Sequence, residues 1–250
     1  MDYKRLIDDL VFFIEQRLMG FDGGVLGLSG GIDSAVVLAL LARSSKKAHA
    51  MMMPSLSSDP KALEDAQKLC LKLNVTSNTI RINYALNSLL NASQNPDISN
   101  LRRANFQARI RMSLLYDYSG ANNLLVVGTT NKSELMLGYS TIHGDLASAF
   151  NPIGGLFKTQ IYALARALKL PRSFLMRAPS ADLWPGQSDE KELGFSYADI
   201  DKLLAFYERR RDEKECLKHF DSNLCKMVFK RMKKNAFKHE LPVIYEPKLI

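Results

Sequence analysis

One short segment, residues 25–34, limits what this chain can fold into more than any other. An apolar run at residues 25–28 leads into a Ser-Gly-Gly turn at residues 29–31, and a predicted helix begins at Asp33. A strand, a glycine turn and a helix N-terminus form an anion cradle, because glycines let backbone N–H groups approach phosphate oxygens and the helix dipole adds positive potential. A tight turn that binds nothing is the alternative, but two glycines between serine and aspartate exceed what a turn requires.

The residue types in this turn narrow the kind of anion site. The kinase-type loop G-x-x-x-x-G-K-[ST] is absent, because no lysine follows the glycines. Asp33 stands in the cradle instead, and a carboxylate beside a polyphosphate makes sense only with a metal ion between them. The segment therefore predicts a site for a polyphosphate and a divalent cation.

Apolar patterns along the chain predict strands that alternate with helices. Strands separated by helices of about ten or more residues imply a parallel sheet with right-handed crossovers. The predicted fold class is therefore α/β, a Rossmann-like parallel sheet flanked by helices, with a helical C-terminal extension. Ligands in such sheets bind at the carboxyl ends of strands, where Ser29 and Thr129 would lie. The predicted strands are residues 24–28, 48–53, 79–82 and 124–128, and the predicted helices are residues 3–19, 33–44, 61–73, 84–91, 100–118 and 157–168.

Composition excludes several classes of protein. The chain has 250 residues, of which 46% are hydrophobic and 24% are charged, as in a globular protein. Its three cysteines are widely spaced without a zinc or C-x-x-C pattern, which fits a reducing compartment without disulfides. The longest apolar run, residues 35–42, is too short to span a membrane, and the first helix is too polar for a signal peptide. We therefore expect a cytoplasmic protein without a membrane partner.

The net charge of +8 raises the question of nucleic-acid binding. A net +5 of this charge lies in residues 208–250, where apolar residues recur at helical spacing among lysines. One interpretation is an amphipathic helix with a solvated basic face, and the other is a cationic segment that faces an anionic substrate. Neither requires nucleic acid, and we expect none as a partner.

A second group of polar residues follows the fourth predicted strand. A small-residue turn at 128–130 precedes Glu134, and Asp145 follows a glycine further on. Glu134 could complete a metal site with Asp33, since magnesium on a nucleotide takes one or two carboxylates plus phosphate oxygens. Taken alone, Glu134 is equally a candidate for a helix cap, and Asp145 for an ordinary turn residue.

A third group lies on the long helix predicted at residues 100–118. Arg102, Asn105 and Arg109 share one helix face, at i, i+3 and i+7. A face that pairs two guanidinium groups with an amide suits a carboxylate, a phosphate or a ribose. A solvated basic face is the alternative.

The order of these motifs resembles a known family. The loop SGGIDS resembles the signature of the ATP pyrophosphatase (N-type) superfamily. With the motifs that follow it, the chain from residue 24 to about residue 200 resembles the ammonia-dependent NAD synthetases. The motifs are, in chain order, SGGIDS, NFQARIRM, GTTNKSE, NPIGGLFKTQIY and APSADLWPGQSDEKELGFSY.

The resemblance implies an ATP-driven amidation of deamido-NAD, the last step of NAD biosynthesis. The substrate carboxylate attacks the α-phosphorus of ATP, diphosphate leaves, and ammonia then displaces AMP to give NAD. ATP as co-substrate and Mg²⁺ as cofactor are implied. Ammonia is implied as the nitrogen donor, because 250 residues leave no room for a glutaminase domain.

The resemblance also implies roles for particular residues. Lys158 would supply a cation to the phosphates, although a lysine in the first turn of a helix can be an ordinary surface residue. Asp145 would lie near the reacting carboxyl, where it could attract ammonium and take its proton. The implied residues are Asp33, Asp145 and Lys158 for catalysis, Asp33 and Glu134 for the metal, Asn105, Arg109, Asp145 and Lys238 for the dinucleotide, and Gly27, Leu28, Ser29, Gly30, Gly31, Ile32, Asp33, Ser34, Thr129, Lys158 and Ser180 for ATP.

Some positions depart from the family pattern. Ile142 and Ala149 stand where many members carry a lysine and an aspartate, and Phe237-Lys238 stands where the family has His-Lys. These changes bear on substrate recognition rather than on the ATP chemistry. His143 is a candidate substitute, although a histidine in a turn is usually solvated.

The expected organisation is one synthetase domain over residues 1–250, with a pyrophosphatase core at about 20–170 and a helical part at about 171–250. The resemblance implies a homodimer in which the helix at 100–118 packs on the partner, with Arg109 at the seam. The apolar side chains expected at that seam are Phe106, Leu114 and Tyr118, and the alternative is that they face the chain's own sheet.

Two other classes of function stay open. A tRNA-thiolating pyrophosphatase would share the glycine loop and account for the basic tail, but it needs reactive cysteines. Cys70, Cys216 and Cys225 lie outside any motif. A non-catalytic nucleotide-binding regulator would keep the cradle, but it need not keep Asp33 and Glu134 together.

Overall fold

Four strands pair into one parallel sheet with helices around it, which confirms the predicted fold class. The structure is a computed structural model that describes residues 1–94, 98–180, 188–240 and 244–245. The strands are β1 (Gly23–Gly27), β2 (Lys47–Met52), β3 (Thr76–Thr79) and β4 (Leu124–Val126). The helices are α1 (Tyr3–Arg17), α2 (Ile32–Leu41), α3 (Pro60–Leu73), α4 (Asn83–Ala92), α5 (Asn100–Ala121), α6 (Lys132–Leu137), α7 (Lys158–Ala167), α8 (Arg172–Met176), α9 (Asp189–Leu193), α10 (Tyr197–Arg210), α11 (Glu213–His219) and α12 (Ser222–Asn235), followed by a 3₁₀ turn at Ala236–His239.

The strand order β3-β2-β1-β4 decides where a ligand can bind. The chain runs outward from β1 through β2 to β3 and then returns to the other side of β1 with β4. Crossovers that leave in opposite directions open a crevice at the carboxyl ends of the two strands between them, and ligands bind in such crevices. The glycine loop follows β1 and Thr129 follows β4, so both predicted loops begin at this crevice.

Helix α2 begins directly after the glycine turn and lies inside the protein. Every residue of α2 except Asp33 is buried, as in a helix that packs on all sides. Gly31 caps its N-terminus without a side-chain hydrogen bond. The first turn of α2 therefore keeps the unsatisfied N–H groups and the positive dipole end that attract an anion.

Three apolar clusters hold these elements together. Alternate residues of β1 point to opposite faces of the sheet, so that Leu26 joins a cluster with α1, α2, α3 and α7 while Val25 joins one with α4 and α5. A third cluster is formed by α10, α11 and α12 and takes in Leu137 of α6 and Phe157. The C-terminal helices therefore pack directly on the segments that follow β4. No helix among the described residues is long and apolar enough to cross a membrane.

The apolar side chains of α5 that the sequence analysis placed at a partner interface face the chain's own sheet. Phe106, Leu114 and Tyr118 are partly buried against the cluster that contains Val25. The surface of α5 that stays open is a different one, with Leu101 and Tyr116 exposed. A partner that packs on α5 would therefore contact these two residues.

The predicted third strand at residues 79–82 is wrong. β3 spans Thr76–Thr79 and pairs with β2 from His49 opposite Thr76. The apolar residues Ile80 and Ile82 led to the prediction of a strand at residues 79–82. In the structure they follow the strand and pack in the cluster that contains Val25. β3 lies at the sheet edge and is largely exposed, so its side chains need no apolar alternation. Helix α6 was not predicted, because six residues are too few to show a period.

The close packing of the glycine turn on α3 gives the first prediction. Gly30 has a φ of +85°, and a Cβ there would lie 2.4 Å from the backbone oxygen of Ala62. Gly30→Ala should cost about 1–3 kcal/mol, because it combines a left-handed backbone with this overlap. Calorimetry should show a melting temperature lower by roughly 3–10 °C.

Gly155→Ala is the matched control for that substitution. A Cβ at Gly155 meets no atom within 4 Å, and this glycine is not in the left-handed region. Its melting temperature should equal that of the wild type. A Gly30→Ala protein as stable as the control would contradict the prediction.

Candidate active site

A cleft of about 280 Å³ opens at the carboxyl ends of β1 and β4. It brings together most of the residues that the sequence singled out. The predicted site residues on its walls are Gly27, Leu28, Ser29, Gly31, Asp33, Ser34, Thr129, Glu134, Asp145, Lys158 and Ser180. Gly30 and Ile32 do not line it, since Gly30 turns against Ala62 and the Ile32 side chain is buried in the core. The last predicted motif continues through residues 181–187, which lie outside the described residues.

Two serines shape the glycine turn. The N–H of Gly31 donates to Ser29 Oγ at 3.2 Å, and Ser34 Oγ donates to the Gly31 oxygen at 3.1 Å. The N–H of Ser29 also donates to Ser34 Oγ, at 3.3 Å. These short-range bonds form the turn without a ligand, so the cradle is already shaped when an anion arrives.

A buried charge group lies beside the turn. Lys158 Nζ is 2.5 Å from Asp33 Oδ2 and 3.1 Å from Glu134 Oε1. The Lys158 side chain is only 3% exposed, so it is not the ordinary surface lysine that the sequence allowed. Three helix N-termini, those of α2, α6 and α7, meet through these three side chains.

Asn131, which the sequence analysis did not single out, positions both carboxylates. Its Nδ2 donates to Asp33 Oδ1 at 2.9 Å, while its Oδ1 accepts from the N–H of Glu134 at 3.0 Å. Its own N–H donates to Glu134 Oε2 at 3.2 Å. Glu134 is therefore a helix-capping residue and a site carboxylate at once, so the two interpretations left open by the sequence are compatible.

The charges of this group are linked. Burial opposes the charge of Lys158, but attraction by Asp33 and Glu134 outweighs burial and raises the pKa of the ammonium. Burial raises the pKa of Glu134 in spite of the opposing attraction of Lys158, and the nearby Asp33 and Asp189 raise it further. Burial and the neighbouring carboxylates together make Glu134 take up a proton more readily than a free carboxyl, in spite of the attraction of Lys158.

The donor set fits a magnesium ion. Two carboxylates that bind one ammonium are close enough to bind one cation together, and carboxylate oxygens are the hard ligands that Mg²⁺ prefers. No group of three or more His, Cys, Asp or Glu side chains that could hold a metal ion occurs among the described residues. A magnesium ion on a nucleotide takes one or two carboxylates and completes its shell with water and phosphate oxygens.

Asp145 lies across the cleft from the glycine turn, on the loop that follows α6. Its Oδ1 accepts a hydrogen bond from the N–H of Thr141 at 2.6 Å. The residue keeps exposed surface, but desolvation of the carboxyl by the surrounding cleft walls raises its pKa to about 6. Asp145 is therefore a carboxyl group that can exchange a proton near neutral pH.

The residues predicted to bind the dinucleotide hold this same loop. Thr141 Oγ1 donates to Asn105 Oδ1 at 2.9 Å, and Arg109 Nη2 donates to the Ile142 oxygen at 3.4 Å. Lys238 Nζ donates to the backbone oxygens of residues 138 and 140, at 2.7 Å each. The three side chains lie against the cleft wall from behind and fix its position.

Two buried aspartates escaped the sequence analysis. Asp189 is 3% exposed and accepts hydrogen bonds from the hydroxyls of Tyr139 and Tyr197, and burial raises its pKa. Asp201 accepts from Ser133 Oγ at 2.5 Å and from the N–H of Thr159 at 2.8 Å. Asp189 belongs to the motif APSADLWPGQSDEKELGFSY and could have been named as a site residue from it. Asp201 lies on the amphipathic helix α10, where no sequence motif marks it.

The cysteines do not form a reactive site. Cys70, Cys216 and Cys225 are buried free thiols, and burial raises the pKa of each. A buried thiol with a raised pKa is a poor source of thiolate. This observation weighs against a thiolating enzyme.

A parallel sheet with the SGGIDS loop at its switch point and two carboxylates beside that loop is the arrangement that the resemblance to the ATP pyrophosphatases leads us to expect. The family model described as NAD synthase matches residues 6–242. The NH₃-dependent NAD⁺ synthetase of Campylobacter jejuni (strain 81-176) is 50% identical over 249 residues, which cover 98% of this chain and all of that one. The chain therefore belongs to the NAD synthase family.

Solved structures agree with this assignment. The NMN synthetase from Francisella tularensis superimposes with a TM-score of 0.90 at 32% identity, and the match covers 98% of this chain and 99% of that one. The NH₃-dependent NAD synthetase from Campylobacter jejuni NCTC 11168, solved with a nitrate ion, gives a TM-score of 0.85 at 43% identity over 98% and 100% of the two chains.

The position of Asp201 gives the second prediction. Asp201→Ala leaves Ser133 Oγ and the Thr159 N–H without their buried partner, at a cost of about 1–3 kcal/mol for each group. The melting temperature should fall by roughly 5–20 °C, and the KM for ATP should rise because the first turn of α7 carries Lys158.

Lys202→Ala is the control, because Lys202 is the next residue on α10 and its side chain is 72% exposed. It should change neither the melting temperature nor the KM. If Asp201→Ala lowered stability but left the KM for ATP unchanged, Asp201 would not position Lys158.

Proposed function

We propose that this protein makes NAD from deamido-NAD, ATP and ammonia, with release of AMP and diphosphate. The observation that carries the proposal is the pair of carboxylates Asp33 and Glu134 beside the glycine loop. Both bind the ammonium of Lys158. A regulator that only binds nucleotide has no need for this arrangement. The 50% identity to the Campylobacter enzyme supports the choice of substrate.

ATP would lie along the cleft with its phosphates at the glycine turn. The turn and the first turn of α2 offer backbone N–H groups and a positive dipole end. The cleft continues past Met53, Met112 and Leu115, an apolar surface that suits the adenine ring. The phosphates would then lie next to Asp33 and Glu134.

The first chemical step would be attack of the substrate carboxylate on the α-phosphorus of ATP. The bond between that phosphorus and the bridging oxygen breaks, and diphosphate leaves with the electron pair. Mg²⁺ bound by Asp33 and Glu134 would neutralise the charge that develops on diphosphate. Lys158 would offer its ammonium to the same phosphates, while the walls of the cleft exclude water.

In the second step ammonia attacks the acyl carbon of the adenylate and AMP leaves. The nitrogen must lose a proton as the amide forms. Asp145 would accept it, because its carboxyl lies on the cleft wall and has a pKa of about 6. Arg109, Asn105 and Lys238 would act on the substrate through the loop that they hold.

The test of the proposed function follows both products. The purified chain, with Mg²⁺, ATP, deamido-NAD and ammonium, should form AMP and NAD in equal amounts. Glutamine in place of ammonium should give no NAD above background. Efficient use of glutamine would refute the nitrogen assignment, and AMP release with tRNA but not with deamido-NAD would indicate a thiolating enzyme. No AMP from either would indicate a regulator.

A mononucleotide substrate is a second candidate. The observation in its favour is the TM-score of 0.90 to a protein described as an NMN synthetase. The departure Ile142 lies on the loop that follows α6 and carries Asp145, hereafter the substrate loop, where the Ile142 oxygen accepts a hydrogen bond from Arg109. The departure Ala149 lies beside β4, where its N–H donates to the Val126 oxygen. The same assay with nicotinic acid mononucleotide decides between the two, since the preferred substrate has the higher kcat/KM.

The pKa of Asp145 gives a prediction for pH dependence. Below about pH 6 the carboxyl is protonated and cannot accept a proton from the nucleophile. The wild-type rate, expressed per concentration of free ammonia, should therefore fall below this pH and stay level above it. Asp145→Asn should lower the level part about a hundredfold and remove the fall. A variant that keeps the wild-type profile would show that another group takes the proton.

We also propose a homodimer that packs on the open face of α5, and a cytoplasmic location. Leu101, Asn105, Arg109 and Tyr116 share one helix face by their spacing. Two of them are large apolar side chains, 65% and 41% exposed for Leu101 and Tyr116, so water contacts apolar surface beside Arg109. A twofold contact there would cover this surface and bring the partner next to the substrate loop.

The chain itself would be one domain, since the C-terminal cluster takes in Leu137 of α6.

The dimer is tested with a charge on this face. Leu101→Glu should give monomers in sedimentation and weaken binding of the dinucleotide, while ATP binding stays unchanged. Leu71→Glu is the control, because Leu71 is 82% exposed on α3 and should not affect assembly. A Leu101→Glu protein with the wild-type sedimentation coefficient and activity would exclude this interface.

A further inference from the structure

The ammonium of Lys158 lies at the position that suits the metal ion. It is 2.5 Å from one oxygen of Asp33 and 3.1 Å from one oxygen of Glu134. The side chain is almost fully buried, and the ring of Tyr197, itself buried, has its centre 5.4 Å from Nζ. The contact is therefore part of the packed interior and not a chance approach of a surface lysine.

The two carboxylates have a second partner besides the lysine that holds them in position. Asn131, which is fully buried, donates to Asp33 Oδ1 from its side chain and to Glu134 Oε2 from its backbone. One oxygen of each carboxylate is thus held by Asn131, and the other oxygen of each binds the ammonium. The point between the two remaining oxygens is a formed cation position, whichever cation fills it.

We propose that Lys158 is the resident cation of this position and leaves it when a divalent ion arrives together with nucleotide. The proposal rests on the proposed function only in taking Asp33 and Glu134 as metal ligands. Two cations cannot occupy one position, since unit charges a few ångströms apart repel strongly in a buried site. The flexible stem of Lys158 lets its ammonium move into the cleft, which it already lines.

This exchange couples the binding of metal and nucleotide. Without nucleotide, an ammonium that left Asp33 and Glu134 would lose its hydrogen bonds to both carboxylates, which is costly for a buried charge. The phosphates of ATP give the displaced ammonium a new partner. Metal should therefore bind weakly alone and tightly with nucleotide, and nucleotide should bind more tightly with metal by the same factor.

The experiment measures Mn²⁺ binding without substrate turnover, by the loss of the electron paramagnetic resonance signal of free Mn²⁺. Without nucleotide, Lys158→Met should bind Mn²⁺ at least about tenfold more tightly than the wild type, because no cation competes for the site. Lys132→Met is the matched control, since Lys132 pairs with Glu208 outside this position. Its Mn²⁺ affinity should equal that of the wild type. Unchanged or weaker binding by Lys158→Met overturns the proposal, and Lys158→Gln replaces that variant if it fails to fold.

The position of the Mn²⁺ ion distinguishes two explanations for tighter binding. Either the ion takes the place of the Lys158 ammonium, or it binds elsewhere and the ammonium only repels it from a distance. Anomalous scattering from Mn²⁺ in crystals of the Lys158→Met protein should place the ion between Asp33 and Glu134. Wild-type crystals with Mn²⁺ and a non-hydrolysable ATP analogue should show the ion there and the ammonium away from it. A wild-type ammonium that still bridges both carboxylates in that complex overturns the proposal. These results do not depend on amidation, so absence of NAD synthesis would refute the proposed function and leave this inference testable.

Discussion

The contact of Lys158 with Asp33 and Glu134 is the interaction on which the rest of the site depends. Each of these residues lies in the first turn of a different helix, and α2 is far from α6 and α7 along the chain. A buried charge without its partner is strongly destabilising, so α2, α6 and α7 have to dock in one arrangement. That arrangement aligns the glycine turn after β1 with the loops after β4, and the cleft between them follows from it.

Local features of the sequence were enough to predict most of the fold. The alternation of strands and helices, the glycine turn and the parallel sheet are confirmed, because apolar periodicity and turn chemistry act over a few residues. The misplaced third strand shows where this reasoning ends. Thr76–Thr79 pairs as a strand at an exposed edge, where the backbone forms the contacts and the side chains carry no apolar pattern. Helix α6 depends on the capping of Glu134 by Asn131 and on the C-terminal cluster, not on a period of its own.

The site was predictable only where its residues lie in short motifs. Asp33, Glu134 and Lys158 each follow a recognisable turn, so their grouping in the cleft could be expected from the topology. The bonds that position them join residues far apart, such as Asn131 to Asp33 and Asp201 to Thr159, and nothing in the local sequence of α10 marks Asp201. The exact partner of Lys158 also lay beyond sequence reasoning, which assigned this lysine to phosphate. The structure shows it bound to the two carboxylates.

The C-terminal helices explain how a short phosphate-binding unit becomes a site with two walls. The turn between β1 and α2 forms one wall of the cleft, but the opposite wall is a loop without regular structure of its own. Asp201 of α10 accepts a hydrogen bond from a backbone N–H in the first turn of α7. Asn235 and Lys238 donate to backbone oxygens at the end of α6 and just beyond it. Part of the basic tail therefore serves to hold a loop that carries an acidic residue, Asp145. The positive charge that first suggested nucleic acid has, at Lys238, a partly buried position with two backbone oxygens of this loop as partners.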